Sequence, residues 1–171
     1  YEAAVQYFSK SLEYPIDKEV VARASFWSAE AYSIGKHYED AIANYVRVIG
    51  LENEAGQELV IKSRYGLGYA YFNQQEYDKA LVNFSQFVSK GNKNTPNYVD
   101  GLIRLADCYY GDKRYDDALT YYNRARTLGS PDNDYVLLQS GVIYGIQRKY
   151  TDSRNQFADL ARAYPRSQYR D

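Results

Sequence analysis

Small and apolar residues recur along this chain at spacings of three and four, which is the period of an amphipathic α-helix. The stretch RYGLGYAYFNQQEYDKALVNF, residues 64–84, contains the full pattern. The pattern has five positions, small, aromatic, aromatic, small and aromatic, here occupied by Gly68, Tyr71, Tyr77, Ala80 and Phe84. A short polar segment, FNQQEYD, separates the first two positions from the last two. The stretch therefore predicts two helices joined by a tight turn.

The same five positions occur three more times in full and once in part. The full copies are Ala29, Tyr32, Tyr38, Ala41 and Tyr45; Ala106, Tyr109, Tyr115, Ala118 and Tyr122; and Gly141, Tyr144, Tyr150, Ser153 and Phe157. The N-terminus contains only the second half of the pattern, as Tyr1, Ala4 and Phe8. The second small residue recurs at intervals of 37, 39, 38 and 35 positions, which indicates a repeat protein.

The segments between repeats contain residues that start and end helices. Thr95-Pro96 and Ser130-Pro131 each predict a hydroxyl N-cap followed by proline at the first helical position. Glycines stand where the preceding helices should end, at Gly50, Gly91 and Gly129. We therefore expect nine helices, and the second helix of each full pair should start near Tyr38, Tyr77, Tyr115 and Tyr150.

At these positions the chain resembles the tetratricopeptide repeat family. The family pattern L-G-x-x-Y…A-x-x-x-F…P is matched by Leu67-Gly68, Tyr71, Ala80 and Phe84; by Leu105-Ala106, Tyr109, Ala118 and Tyr122; and by Gly141, Tyr144, Ser153, Phe157 and Pro165. The resemblance covers essentially the whole chain, although the repeats are longer than the usual 34 residues of the family. It implies an all-α fold, a right-handed superhelical solenoid of antiparallel helix pairs with four full hairpins plus one leading helix.

The expected organisation is a single array of repeats. Its predicted boundaries are 1–14 for the second helix of a truncated repeat, 18–50, 56–91, 96–129 and 131–165 for full repeats, and 166–171 for the start of a further element. Because neither end has the polar character of a terminal cap, we expect a longer parent protein. The ending YPRSQYRD resembles junctions in tetratricopeptide proteins of the bacterial envelope, such as the outer-membrane assembly lipoproteins and the Tol-Pal-associated coordinator. That resemblance favours the periplasm or cell envelope over the cytoplasm.

The charge of the chain is nearly balanced, with 21 Lys and Arg residues against 22 Asp and Glu residues. Such a balance gives no general attraction to nucleic acids or to anionic membranes. No apolar run approaches the roughly 18 residues that a membrane span requires. We therefore expect a protein or peptide partner, no nucleic acid and no direct membrane insertion, while the oligomeric state stays open.

The sequence offers little material for catalysis. The only histidine, His37, falls in a predicted turn, and the only cysteine, Cys108, lies on a first helix of a different repeat. A Cys-His nucleophile would require these two side chains to meet in one cleft. The GLG motif at 66–68 lacks the preceding strand and third glycine of a nucleotide-binding loop. We therefore expect a chain that is not an enzyme and that has no cofactor and no metal site.

The resemblance implies that a partner binds on the concave side, which the first helices line. In the second full repeat the stripe Lys62, Tyr65, Tyr69 and Phe72 lies roughly 60° or more around the helix from the packing residues. The candidate partner-binding residues of the array are Phe26, Glu30, Lys62, Tyr65, Tyr69, Phe72, Ile103, Asp107 and Tyr110. Aromatic anchors favour an extended or helical peptide. Two alternatives remain: a glycan or small ligand on the aromatic groove, or tyrosines that only cover the seams between repeats.

Overall fold

The computed structural model describes residues 1–13 and 17–169 of the chain. Within these residues the protein is all-α and contains nine helices, as predicted. The helices are α1 (Glu2–Glu13), α2 (Lys18–Ile34), α3 (Tyr38–Gly50), α4 (Glu52–Asn73), α5 (Tyr77–Lys90), α6 (Pro96–Gly111), α7 (Tyr115–Thr127), α8 (Asn133–Ile146) and α9 (Tyr150–Ala163). The predicted boundary at residue 14 and the last two residues of the predicted segment 166–171 lie outside the described residues.

The four turns within the helix pairs share one backbone conformation. The second helices begin at Tyr38, Tyr77, Tyr115 and Tyr150, which confirms the predicted starts. In the first turn the N–H of His37 donates to the carbonyl of Tyr32 at 2.9 Å, which is the long hydrogen bond of a Schellman helix end. Each turn places one non-glycine residue in the left-handed region, with φ of 60–62°: Lys36, Gln75, Lys113 and Arg148. These turns fix where every second helix starts.

The small residues of the pattern lie where the helices of a pair cross. A Cβ atom added to Gly68 would lie 2.9 Å from the ring of Phe84, and one added to Gly141 would lie 2.6 Å from the ring of Phe157. The alanines at equivalent second-helix positions, Ala41, Ala80 and Ala118, have no exposed surface. The sequence pattern of small and aromatic residues is therefore the contact between paired helices.

The chain divides into two compact units, an N-terminal unit (Tyr1–Asn92) and a C-terminal unit (Lys93–Asp171). A core cluster of the N-terminal unit consists of Phe26, Ala29, Ala41, Tyr45, Val48 and Leu67. The C-terminal unit buries its own set of large side chains, which includes Leu102, Ile103, Leu105, Tyr122, Val136 and Ile143. In each unit the buried set includes a tyrosine of a second helix, Tyr45 or Tyr122.

Two helix starts test the predicted capping residues. Thr95 is the N-cap of α6, since its hydroxyl accepts a hydrogen bond from the N–H of Tyr98 at 3.3 Å, and Pro96 is the first helical residue. The prediction for Ser130 is wrong: its hydroxyl accepts from the N–H of Asp132 at 3.0 Å, in a turn that precedes α8. This turn extends through Asp132, which is the N-cap, and the helix begins at Asn133.

Helix α4 contains a break at Gly56, where φ is 76° and ψ is 155°. Only glycine adopts this region readily, so the residues before Gly56 form a separate helical turn. The predicted repeat boundary at residue 56 coincides with this break. The regular helix that follows is the part of α4 that carries the predicted binding stripe.

Candidate functional site

On α4, two predicted site residues are held in place by aromatic contacts. The rings of Tyr65 and Tyr69 meet edge to face with centroids 5.1 Å apart. Tyr69 also meets Phe84 of α5 edge to face at 5.4 Å, and Tyr65 lies 4.8 Å from the ring of Phe87. Both tyrosines remain half-buried, so each presents part of its ring to solvent. They are at once packing residues and surface residues.

The stripe continues at both ends of these tyrosines. Phe72 is half-buried and its ring meets Tyr77 edge to face at 5.4 Å. Lys62 is exposed, and its ammonium group forms an ion pair with Glu58, one helical turn earlier, at 2.7 Å. An exposed pair of this kind contributes only about 0.3–0.5 kcal/mol to stability, so Lys62 keeps its charge accessible to a partner.

On α2, the two predicted residues differ in exposure. Phe26 is buried and its ring lies 6.2 Å from the ring of Tyr45. Glu30 is half-buried and accepts a hydrogen bond from the hydroxyl of Tyr45, which is itself buried. Burial and the neighbouring Glu30 carboxylate together raise the pKa of Tyr45 far above its usual range, so the phenol stays a neutral donor. Glu30 thus has one oxygen committed to the fold.

The structure adds a residue that the sequence analysis missed, Trp27. Its side chain is 54% exposed and meets the ring of Phe26 edge to face at 5.2 Å. On a helix, Trp27 points about 100° away from Phe26, which explains why one is exposed and the other buried. The repeat pattern gave no signal for it, because the equivalent residues in the other repeats are Gly66, Arg104 and Gln139. Trp27 is the only tryptophan of the chain, and that is the only sequence feature that marks it.

In the C-terminal unit the three predicted residues are less exposed as a group. Ile103 has no exposed surface, and Asp107 is only 9% exposed. Tyr110 is half-buried, with its ring 6.0 Å from the ring of Tyr115. Of the three, Tyr110 alone offers substantial surface to a partner.

The two residues considered for nucleophilic chemistry have ordinary structural roles. Cys108 is fully buried, and burial raises the pKa of its thiol to about 12. It is therefore a neutral thiol at physiological pH, whereas a nucleophile requires the thiolate. The imidazole of His37 forms a hydrogen bond with the hydroxyl of Tyr1 at 3.0 Å.

The described residues provide no metal-binding cluster, and one recess among them lies away from the aromatic stripe. They contain no group of three His, Cys, Asp or Glu side chains placed to hold a metal ion. A recess of about 290 Å³ lies at hairpin turns and is lined by Lys36, His37, Tyr38, Glu39, Asp40 and Gln74. It contains none of the candidate residues. Among the helices described, none combines the length and hydrophobicity that crossing a bilayer demands.

Comparison with known proteins identifies the repeat. The sequence profile of the tetratricopeptide repeat family matches residues 65–133. That range includes the end of α4 and all of α5 in the N-terminal unit, and α6 and α7 of the C-terminal unit. No curated protein matches the chain by sequence.

Solved structures extend the similarity over nearly the whole chain. The chain is similar to YrrB, described as a TPR protein with an unusual peptide-binding site, with 15% identity, a TM-score of 0.82, and 99% of this chain and 80% of YrrB covered. It is also similar to MamA from Desulfovibrio magneticus RS-1, with 17% identity, a TM-score of 0.77, and coverage of 98% and 86%. A third is PilF of Pseudomonas aeruginosa, with 19% identity, a TM-score of 0.67, and coverage of 87% and 64%. At these identities the similarity concerns the fold.

Proposed function

Because the chain is a tetratricopeptide repeat protein, we propose that it is a non-catalytic scaffold that binds a peptide or a partner protein along its first helices. The proposed site in the N-terminal unit is the α2–α4 face, which we define as the side chains of Trp27, Glu30, Lys62, Tyr65, Tyr69 and Phe72. Phe26 supports this face from beneath. In the C-terminal unit the proposed contact residue is Tyr110, supported by the buried Ile103 and Asp107.

The observation that carries this proposal is the exposure of Trp27. Tryptophan and tyrosine are among the residues most enriched in binding hot spots, and Trp27 offers such a side chain next to the half-buried Glu30 on the same helix. Tyr65 and Tyr69 are already held by contacts with Phe84 and Phe87. A partner would therefore lose little entropy in ordering them, which favours affinity.

The alternative of a glycan or small ligand has less support. Small ligands bind in concave pockets that bury most of their surface. The recess of about 290 Å³ at the hairpin turns does not include the aromatic residues of the α2–α4 face. The peptide-binding description of YrrB belongs to that protein, and we extend it to this chain only as a hypothesis.

The proposal can be tested with peptides selected from a random display library on the purified chain. We expect Trp27→Ala and Tyr69→Ala each to lower the affinity for the selected peptides by about 30-fold. This corresponds to about 2 kcal/mol of binding free energy. Trp27→Ala should change the free energy of unfolding by only about 0.5 kcal/mol, because most of the ring is exposed. Isothermal titration and thermal melts measure the two quantities.

A matched control is Tyr150→Ala, which removes another strongly exposed aromatic ring, on α9. We expect its affinity for the same peptides to stay within twofold of the original chain. Selected peptides that bind the Trp27 and Tyr69 variants as tightly as the original would exclude the α2–α4 face as the binding site. A large stability loss in Tyr69→Ala would assign that ring to packing.

A further inference from the structure

The carboxylate of Asp107 lies at a point where three helices of the C-terminal unit meet. Its Oδ1 accepts hydrogen bonds from the hydroxyl of Tyr122 on α7 and from the hydroxyl of Tyr135 on α8, the latter at 2.9 Å. Its Oδ2 accepts from Nη1 of Arg104, one turn earlier on α6, at 2.7 Å. A nearly buried acid thus joins α6, α7 and α8.

Arg104 is shared between two acids. Its Nε lies 3.5 Å from Oδ1 of Asp100, while Nη1 contacts Asp107. The Arg104 side chain is 26% exposed, whereas that of Asp107 is only 7% exposed. Arg104 also occupies the first-helix position that corresponds to the exposed Trp27 of the N-terminal unit.

The electrostatics at Asp107 result from opposing effects. Burial raises the pKa of its carboxyl, whereas the two tyrosine hydroxyls and the Arg104 guanidinium lower it, and burial has the larger effect. The charged and titratable groups around it are Arg104 and Cys108 on α6, Tyr122 on α7 and Tyr135 on α8, with Asp100 beyond Arg104. Both phenols have pKa values raised far above their usual range, so of these phenols and Asp107 it is the carboxyl that takes up a proton as pH falls.

We propose that Asp107 is a proton-controlled latch that sets the position of the Arg104 guanidinium on the exposed surface of α6. When the carboxyl is ionised, Oδ2 holds Nη1 of Arg104 and the guanidinium is shared with Asp100. A proton taken up from solvent at Oδ2 removes that acceptor and leaves both tyrosine hydrogen bonds at Oδ1. Arg104 then loses its contact with Asp107 and keeps its contact with Asp100, so the position of the guanidinium on α6 changes with pH.

The latch can be observed by NMR in the intact chain without any partner. We expect the Asp107 carboxyl carbon to titrate with a midpoint above the ordinary aspartate value of about 3.9. The Nε–H signal of Arg104 should shift with the same midpoint. In Asp107→Asn the shift of the Arg104 signal at that midpoint should disappear. Glu30→Gln, which alters the tyrosine-linked acid of the other unit, should change neither titration.

A second variant keeps the test decisive if Asp107→Asn fails to fold. Arg104→Gln removes a group that lowers the pKa of Asp107, so the carboxyl midpoint should rise further. An Arg104 signal that stays constant while Asp107 titrates would overturn the latch. A carboxyl midpoint at or below about 3.9 would overturn the dominance of burial at this site.

The same titration predicts the sign of a stability change. Because the folded-state pKa is raised, the native state binds the proton more tightly than the unfolded chain does. The contribution of Asp107 to the free energy of unfolding is therefore greatest at low pH and falls as pH rises through the folded-state pKa. Urea melts at several pH values measure the free energy of unfolding of the original chain and of Asp107→Asn. The original chain minus the variant should give a difference that falls as pH rises.

The consequence for binding rests on the proposed function, whereas the titration does not. If a partner contacts α6 near Arg104, its affinity should change across the Asp107 midpoint in the original chain and stay constant in Asp107→Asn. If no peptide or protein partner binds the chain but the NMR titration is observed, the proposed function is refuted and the latch stands. A constant Arg104 signal with intact binding would refute the latch alone.

Discussion

Two buried tyrosines each donate their hydroxyl hydrogen bond to an acid on the preceding helix. Tyr45 donates to Glu30 and Tyr122 donates to Asp107, and in both pairs the residues are 15 positions apart. Where the second helix has phenylalanine instead, at Phe84, the residue at the same spacing is Tyr69, and the two rings meet edge to face. A buried phenol needs a hydrogen-bond acceptor and a buried phenyl ring does not. An acid therefore accompanies tyrosine at this spacing, and an aromatic ring accompanies phenylalanine.

The spacing of three and four placed Glu30 and Asp107 on the candidate binding stripe but gave no information about their partners. The spacing along a helix gives the direction in which a side chain points. It does not give the side chain of the neighbouring helix that it contacts. The pairing of tyrosine with an acid at this spacing occurs in two repeats and was available in the sequence. Reading both helices together would have identified these acids as partly committed to the fold.

Buried serines provide a prediction at the residue scale. The hydroxyls of Ser25 and Ser28 on α2 are buried and have no hydrogen-bond partner among the described residues. An unsatisfied buried hydroxyl costs about 1–3 kcal/mol, and alanine also has the higher helix propensity. We therefore expect Ser25→Ala and Ser28→Ala each to raise the free energy of unfolding by about 1 kcal/mol in urea melts.

Ser153 is the matched control for this prediction. Its buried hydroxyl donates to the carbonyl of Gly141 at 2.8 Å, across the crossing of α8 and α9. Removing it deletes a made hydrogen bond, so Ser153→Ala should lower the free energy of unfolding by about 1 kcal/mol. We expect changes in the free energy of unfolding of similar size and opposite sign. Destabilisation by the α2 substitutions would show that Ser25 and Ser28 are satisfied in solution.

At the scale of elements, the turns within helix pairs contain a shared strain. Gln75 has a φ of 62° between α4 and α5, a conformation that costs a non-glycine residue roughly 1–2 kcal/mol. Gln75→Gly removes this cost but adds chain entropy to the unfolded state, so we expect a net change of at most about 1 kcal/mol. Gln75→Val should lose about 1–2 kcal/mol relative to Gln75→Gly, because a β-branched side chain is poorly tolerated there.

Thermal melts of the glycine and valine variants measure this difference directly. Gln74, the preceding residue, has a φ of −85° and is the control position. There the glycine variant should be no more stable than the valine variant, since no left-handed conformation is required. Similar stabilities for both Gln75 variants would mean that the turn adapts its backbone rather than retaining the Schellman geometry.

Local sequence signals determined the elements to different degrees. The second helices start at the predicted tyrosines because a polar turn and an acidic first turn stand at each start. Thr95 caps α6 as predicted, yet the similar Ser130-Pro131 pair does not cap α8. The difference lies beyond the dipeptide: Asn97 is already helical in α6, whereas Asp132 completes a turn and the helix begins one residue later. Capping motifs therefore predict a helix start only to within a few residues.

At the scale of the whole molecule, the repeat determines the fold but not the position of the binding residues. Packing positions recur, so the small and aromatic residues of one repeat identify those of the others. Surface positions do not recur: Trp27 corresponds to Gly66, Arg104 and Gln139. This is why the fold was predictable from sequence and the exposed tryptophan was not. The proposed binding residues therefore include a position where the repeats differ.

The N-terminal unit should also differ in stability along its length. Helix α1 contacts α2, whereas α4 contacts α2, α3 and α5. In α1 the residues Ala4, Val5 and Phe8 are only half-buried, whereas Leu67, Gly68 and Ala70 of α4 are buried. Local opening of α1 exposes little apolar surface. The free energy of opening that protects its amides should therefore be lower than that of the α4 amides by at least about 2 kcal/mol.

Native-state hydrogen exchange of the intact chain measures this difference helix by helix. Phe8→Ala should lower the protection of α1 further and leave that of α4 within about 0.5 kcal/mol, because distant sites act independently. Equal protection of α1 and α4 would mean that the N-terminal unit opens as one cooperative body. A fall in α4 protection in Phe8→Ala would lead to the same conclusion. In that case α1 stabilises the helices that form the α2–α4 face, and substitutions in α1 would weaken peptide binding without touching the peptide.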